Sequence, residues 1–348
     1  LFVEQRHELI LREVRERGSV RLADLVDRLG VSMVTLRRDV EHLAGQGLVT
    51  RVHGGVTLPP ETAADSRPVS DRSLTIGMLV PSATYYYPTV IKAARDQAQR
   101  LGARLVLGVS RYDDEEDRKQ VGQLIAGGVE GLLLTTSRQP DESHVAWLAE
   151  LGVPAVLVER IAELGGPASF MDAAASHHAH GAFLGTRHLA ELGHRRVAMV
   201  SRDSPTAPRV RHGFVSAVRD LGLETPGEFG VEQDGPSDEQ VAQVVRAIGD
   251  GSVTGLLVHN DEDALLLVQH LRLAGVRIPR DVSIVAYDDE VAALSDPPLT
   301  AVAPPKAAVG RRAVDLLVQR IEQGSSAAAQ HVALLPELRV RESTAKRG

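Results

Sequence analysis

The sequence predicts an α/β protein, a winged helix-turn-helix at the N-terminus followed by a larger two-lobed part built on parallel sheets. Three observations lead there. Residues 1–57 carry helical apolar spacing and then a short hairpin signal, residues 74–345 alternate short apolar runs with amphipathic stretches, and a polar segment containing Pro and Ser, residues 58–73, separates them. At 348 residues and 43% hydrophobic content the chain can bury two or three ordinary cores, which argues against disorder. With no Cys, a disulfide framework, a thiol nucleophile and a thiolate metal site are all excluded, in keeping with a reducing compartment. No apolar run approaches the roughly 18 residues of a membrane helix, and the first residues lack the order of a signal peptide. A cytoplasmic protein without membrane contact is expected.

The front segment contains three helical patterns: Glu4 to Arg17, Leu22 to Leu29 and Ser32 to Gly45. Little strand signal precedes Leu48; then Leu48 to Val52, a His53-Gly54 turn and Gly55-Val56 read as the wing. The net charge is −7, yet residues 1–57 hold nine Arg against eight carboxylates, so the front is set apart from an acidic remainder. A few well-placed cations suffice to bind a phosphate backbone.

In the third helix Ser32 is a good N-cap, and Leu36, Val40 and Leu43 form one buried stripe. Val34, Arg38 and Glu41 lie on the other side, flanked by Thr35 and Arg37. Such a helix enters a major groove N-terminus first. Thr35, Arg37 and Arg38 are the expected readers, since Arg can make paired bonds to guanine worth about 1–3 kcal/mol against a wrong base. Arg51 and His53 would touch backbone or minor groove. Solvated surface arginines paired with Asp39 and Glu41 are the bland alternative.

The string Ser32-Met-Val-Thr-Leu-Arg-Arg-Asp-Val40, followed by Arg51-Val-His-Gly-Gly-Val56, resembles the recognition helix and wing of the DeoR family of bacterial regulators over about residues 4–57. The resemblance implies a transcription factor's DNA-binding domain, with Ser32, Thr35, Arg37, Arg38, Arg51 and His53 facing double-stranded operator DNA.

Beyond residue 73, strands are expected at Leu74 to Val80, Arg104 to Val109, Gly131 to Thr135, Ala155 to Val158, Arg196 to Val200, Thr254 to Val258 and Val282 to Tyr287. Helices fall between them, at about Thr89 to Leu101, Glu115 to Ala126, Ser143 to Leu151, His178 to Leu192, Val210 to Leu221, Asp238 to Ile248 and Asp261 to Leu273. That alternation means parallel sheet covered by helices, and so many strands exceed one core. Two lobes with a ligand cleft between them follow. Loops after the strand ends place Ser82, Tyr85-Tyr86-Tyr87, Asn260-Asp261 and Asp288-Asp289 at that cleft. Carboxylates and amides suit hydroxyls, and a tyrosine face can cover a sugar ring.

Residues 74–345 resemble the LacI/GalR regulators, whose sensor has a periplasmic-binding-protein-like fold. The matching pieces include Ile76-Gly-Met-Leu-Val-Pro81, Val158-Glu-Arg160, Leu189 to Val197, Gly213-Phe214, His259-Asn-Asp261, Val282 to Asp289 and Leu338 to Thr344. The resemblance implies effector contacts at Asn260 and Asp288, with Asp261 as a helix N-cap and Ser82 and Tyr86 as further contacts. The family's arginine before Gly-Phe falls on Val210, so Arg209 or Arg211 takes its place, Arg209 being favoured, and contacts near Pro304 are expected to be lost.

The expected function is a transcriptional regulator, a repressor before an activator, whose operator affinity responds to a small metabolite, a sugar, bound between the lobes of a homodimer. A solute-binding protein and a sugar-processing enzyme are the alternatives. No catalytic residue, cofactor or metal is expected: His177, His178 and His180 lack a suitably spaced acidic or Cys partner, and adjacent Asp288 and Asp289 point in different directions.

Overall fold

The computed structural model describes residues 6–7, 9–10, 13–14, 19–29, 31–45, 49–52, 55–57, 74–161, 168–232, 235–326 and 328–347. The chain divides into two compact units, Leu1–Ser70 and Asp71–Gly348.

In the front unit Arg6, His7, Leu9, Ile10, Glu13 and Val14 are helical (α1), followed by β1 (Ser19–Arg21), α2 (Leu22–Leu29), α3 (Met33–Gly45), β2 (Thr50–Val52) and β3 (Gly55–Thr57). The strand β1 was not expected; three residues are too few for a period-two signal, and β1 is held by antiparallel pairing to β3, Val20 opposite Val56. The wing is therefore a three-stranded sheet in the order β1-β3-β2. Ile10, Val14, Leu25, Leu36, Val40, Leu43, Val49 and Val56 form its core, so the apolar stripe of α3 faces inward. Asp39 ties α3 to α1: it accepts from Arg6 Nε at 2.8 Å and lies 3.2 Å from His7 Nε2. Burial raises its pKa, but these bonds outweigh it and hold the carboxyl below its ordinary range.

The second unit contains two six-stranded sheets. The first lobe has strand order β14-β8-β7-β6-β4-β5, where β4 is Leu74–Val80, β5 Ala103–Val109, β6 Gly131–Leu134, β7 Ala155–Val158, β8 Asp172–Ser176 and β14 His331–Leu334. The second lobe has order β10-β9-β11-β12-β13-β15, where β9 is Val197–Arg202, β10 Glu228–Val231, β11 Gly255–His259, β12 Ser283–Tyr287, β13 Thr300–Ala303 and β15 Glu337–Arg339. Every neighbouring pair is parallel except β13 with β15. Parallel strands need helical crossovers on both faces, which explains their nearly continuous apolar sequences such as Leu132-Leu-Leu134.

The helices are α4 (Tyr87–Arg100), α5 (Asp114–Ala126), α6 (Glu142–Ala149), α7 (His178–Glu191), α8 (Ala207–Asp220), α9 (Asp238–Gly249), α10 (Asp261–Leu273) and α11 (Lys306–Gln323). The helix α11 was not among the expected ones; with α4 it covers one face of the first sheet, burying Val309, Ala313, Val314 and Leu317 against Val90 and Ala94. The chain passes between lobes three times, at His177 between β8 and α7, at Pro304-Pro305 between β13 and α11, and at Leu335-Pro336 between β14 and β15. Two of these passages carry proline, whose fixed φ narrows the conformations available to the connection. No helix among the described residues is long and apolar enough to cross a membrane.

Candidate functional site

On the front unit, Ser32 Oγ accepts from the backbone N–H of Thr35 at 3.2 Å and pairs with Thr35 Oγ1 at 2.9 Å, so the two hydroxyls cap α3 together. On the outward side Arg38 is exposed and Val34 is 77% exposed. An uncovered valine and an exposed arginine thus share the outward side of α3. Residue type had singled out only the polar residues of this region, and Val34 is the exposed apolar one among them. Arg37 lies in α3 and Arg51 in β2, and His53 lies outside the described residues.

Between the lobes of the second unit the C-terminal ends of the strands converge on one cavity of about 100 Å³. That is several times the roughly 10–15 Å³ one water needs, and so fits a small multi-atom ligand. The first lobe contributes Tyr85, Tyr86 and Tyr87 after β4, Tyr112 after β5, and Glu159 and Arg160 after β7. The second contributes His178, Arg202, Ser204, Pro205, Thr206, His259, Asn260 and Asp288. Four of the chain's five tyrosines line it, and the fifth, Tyr287, packs behind it against the rings of His178 and His259. Aromatic residues are scarce in this chain, and Tyr86 and Tyr87 serve both the first lobe's core and the cavity wall, where a ring face can cover a ligand.

The cavity lining holds strained backbone. Of six non-glycine residues with positive φ among the described residues, four line it: Tyr85 (55°), Tyr112 (61°), Glu159 (53°) and Asp288 (89°). Such conformations cost on the order of 1–3 kcal/mol each and persist where surrounding structure holds them. Asp288 shows how: its N–H donates to Val302 O at 3.0 Å and its carbonyl accepts from buried Lys306 Nζ. Of five buried side-chain atoms without a hydrogen-bond partner among the described residues, three lie here: Arg160 Nη2, His259 Nδ1 and His178 Nε2, the last 3.5 Å from the Glu159 carboxylate. Buried polar atoms are nearly always satisfied, so this clustering marks where a ligand's polar groups belong.

Besides Lys306 of α11, which bonds Asp288 O and pairs with Glu290 of the second lobe, further bonds join the lobes around the cavity. Tyr85 OH donates to Asp261, with Asp288 Oδ2 at 3.3 Å; Gln139 Nε2 donates to Pro205 O at 3.0 Å; and Arg209 Nη2 donates to Ile161 O at 2.9 Å. Burial, and next the charge of Asp261, push Asp288 up to about 8, with Lys306 opposing. Burial and nearby cations bring His259 down to about 3, leaving it neutral. Glu159 goes the other way: burial raises it, but His178, Ser176 and Tyr86 hold it ionised.

Of the expected effector contacts, the cavity lining includes Tyr86, Asn260 and Asp288. Ser82 does not line it; its hydroxyl accepts from Thr84 N at 3.1 Å and closes a turn. Arg211 points away and pairs with Glu228, 2.9 Å between Nη2 and Oε1, because α8 turns adjacent residues about 100° apart. Arg209 is spent on the bond between lobes rather than on the lining. The lining arginines are instead Arg160 and Arg202. The expected cap at Asp261 is also corrected: Asn260 Oδ1 accepts from Asp263 N at 3.2 Å and caps α10. Fully buried Asp261 accepts the backbone N–H groups of Glu290, Val291 and Ala292 at 2.7–3.0 Å. Asp289 leaves the cavity to Asp288 alone, pairing with Arg339 and Arg341 at 2.7 Å each. Of the three histidines, His177 caps α7 and His178 lies 3.5 Å from Glu159.

Comparison with known proteins agrees with both halves. Residues 6–62 match the family described as a DeoR-like helix-turn-helix domain, and residues 186–344 match the periplasmic binding protein-like domain. The chain is 28% identical to an arabinose metabolism transcriptional repressor of Geobacillus stearothermophilus over 92% of this chain and 90% of that protein. It is 28% identical to the HTH-type transcriptional repressor PurR of Haemophilus influenzae over 77% of this chain and 81% of that protein. A LacI family transcriptional regulator from Enterococcus faecium, solved with bound ribose, superimposes with a TM-score of 0.65 at 26% identity, covering 79% of this chain and all of that one. Fold, cavity and relatives define the class: a DNA-binding transcriptional regulator under ligand control. Within it this chain combines a DeoR-like head with a two-lobed, periplasmic-binding-protein-like sensor.

Proposed function

We propose that this chain is a cytoplasmic, homodimeric repressor in which residues 1–57 grip an operator, residues 58–73 link, and residues 74–345 bind a small polyhydroxylated metabolite. The observation that carries the reading is one polypeptide joining a capped helix with exposed Val34 and Arg38 to an enclosed cavity rich in tyrosine and unsatisfied nitrogen atoms. Thr35, Arg37 and Arg38 read bases, with Arg51 and His53 on the backbone or minor groove. Tyr86, Asn260, Asp288, Arg160 and Arg202 hold the effector. Ligand binding is recognition without turnover, a reading supported by the transcriptional repressors and regulators the chain resembles.

Two copies place two heads on a palindromic or repeated site. A ligand that favours one lobe arrangement by about 1–3 kcal/mol changes operator affinity roughly 5- to 150-fold. The test uses the full chain and labelled duplex from its own upstream promoter region. Changing Arg37 and Arg38 together to Ala should abolish specific retention while leaving ligand-dependent thermal stabilisation intact; unchanged retention would reject the assignment of the readers.

A further inference from the structure

The cations at the cavity are not equally provided for. Arg202 pairs with Asp263, Nε to Oδ2 at 2.7 Å, and Lys306 pairs with Glu290. Arg160 is 1% exposed, yet no carboxylate pairs with it among the described residues: it donates to Thr136 O at 2.8 Å and Glu159 O at 2.9 Å, with the Tyr87 phenol beside it. Its Nη2 has no hydrogen-bond partner among the described residues. The carboxylate of Glu159, next in the chain, turns away to Ser176 and Tyr86, at 2.9 Å from Ser176 N and 2.7 Å from the phenol. Guanidinium cannot shed its proton, so a buried one needs an anion, and a hydroxyl would satisfy its geometry but not its charge.

The surroundings of Arg160 are donors too. Tyr87 and Tyr112 line the same cavity. Burial raises the Tyr87 phenol and the adjacent Arg160 guanidinium draws it back, so both phenols remain protonated at neutral pH. Across the cavity stand groups that suit hydroxyls: Asp288, the side chain of Asn260 and the neutral imidazole of His259. The cavity thus has one wall on which Arg160 lacks a carboxylate partner, the Glu159 carboxylate being held by Ser176 and Tyr86, and a mixed wall opposite it.

We propose that the effector is a sugar acid, its carboxylate taken by Arg160 with the phenols of Tyr87 and Tyr112, and its hydroxyls directed to Asp288 and His259. This rests on the sensor reading given above and narrows it. A phosphate carries up to two charges and would need a second unpaired cation, which Arg202 and Lys306 do not provide. A neutral aldose would leave the Arg160 charge uncompensated.

Calorimetric titration of the full chain tests this with D-gluconate, L-arabinonate and D-galacturonate, their parent aldoses, and glucose 6-phosphate. The tightest ligand should be one of the acids, at least tenfold tighter than its parent aldose. Arg160→Gln should lower the affinity for that acid at least tenfold and leave its parent aldose within twofold, while Arg160→Lys keeps part of the preference. If Arg160→Gln fails to fold, the ranking on the unaltered chain decides alone. An aldose or the phosphate binding as tightly as the acids overturns the inference and leaves the sensor reading standing. Binding by none of the panel, in a chain that melts cooperatively, contradicts both.

Discussion

Asp288 concentrates the chemistry of the sensor in one carboxyl group. It is buried, held at a positive φ, and pushed up to about 8, so the folded protein keeps its proton where an unfolded chain has already lost it. For a carboxyl raised in the folded state, stability is complete below the unfolded value near 4 and is lost as pH rises through about 8. Asp288→Asn removes that dependence. Between pH 5 and 8 its melting temperature should fall less than that of the unaltered chain, the gap amounting to at most a few kcal/mol at pH 8. Parallel curves would show that Asp288 is ionised throughout. At this scale Asn260, Asp288 and Tyr86 were legible, because strand-end position in a parallel sheet is written in the apolar rhythm before them. Arg160 and Arg202 were not. A charged residue after a strand reads as solvated, whereas the folded chain buries the Arg160 guanidinium against carbonyls of its own lobe.

Among the elements, α3 follows directly from its sequence, with Ser32 as cap and Leu36, Val40 and Leu43 inside. The strand β8 is less readable, since Ala173-Ala-Ala175 lacks the branched side chains that favour strands and is buried by its neighbours instead. The helix α11 carries a helical signal in Val309, Ala313, Val314 and Leu317, beginning directly after Pro304-Pro305. Helix contacts depend on glycine at two places. A Cβ on Gly213 would stand 2.0 Å from Ala179 O, where α8 crosses α7, and one on Gly310 would stand 2.4 Å from Val90 O, where α11 crosses α4. Gly213→Ala must separate two helices and should cost about 1–3 kcal/mol or more. Gly122→Ala in α5, with nothing within 4 Å of the added carbon, should instead stabilise by roughly 0.5–1 kcal/mol. Urea unfolding of both variants makes the comparison; equal effects would mean that α7 and α8 do not pack as closely as described.

Over the whole molecule, the division into an arginine-bearing head and an acidic two-lobed remainder was legible from composition and periodicity. How ligand occupancy reaches the head was not, because that depends on the lobe arrangement and the linker, neither of which leaves a periodic trace. The sensor lobes are joined by three passages and by side-chain bonds across the cleft, so any ligand that adds contacts between Arg160 and Asp288 shifts the balance of lobe states. The most direct measurement is fluorescence anisotropy of a labelled promoter duplex titrated with the full chain, without ligand and with the tightest ligand from the calorimetric panel at saturation. The account expects a clear preference for that duplex over a scrambled one and a roughly 5- to 150-fold change in its affinity when ligand is present. Equal affinity for both duplexes, or a ligand that binds the sensor and leaves promoter affinity unmoved, would contradict it.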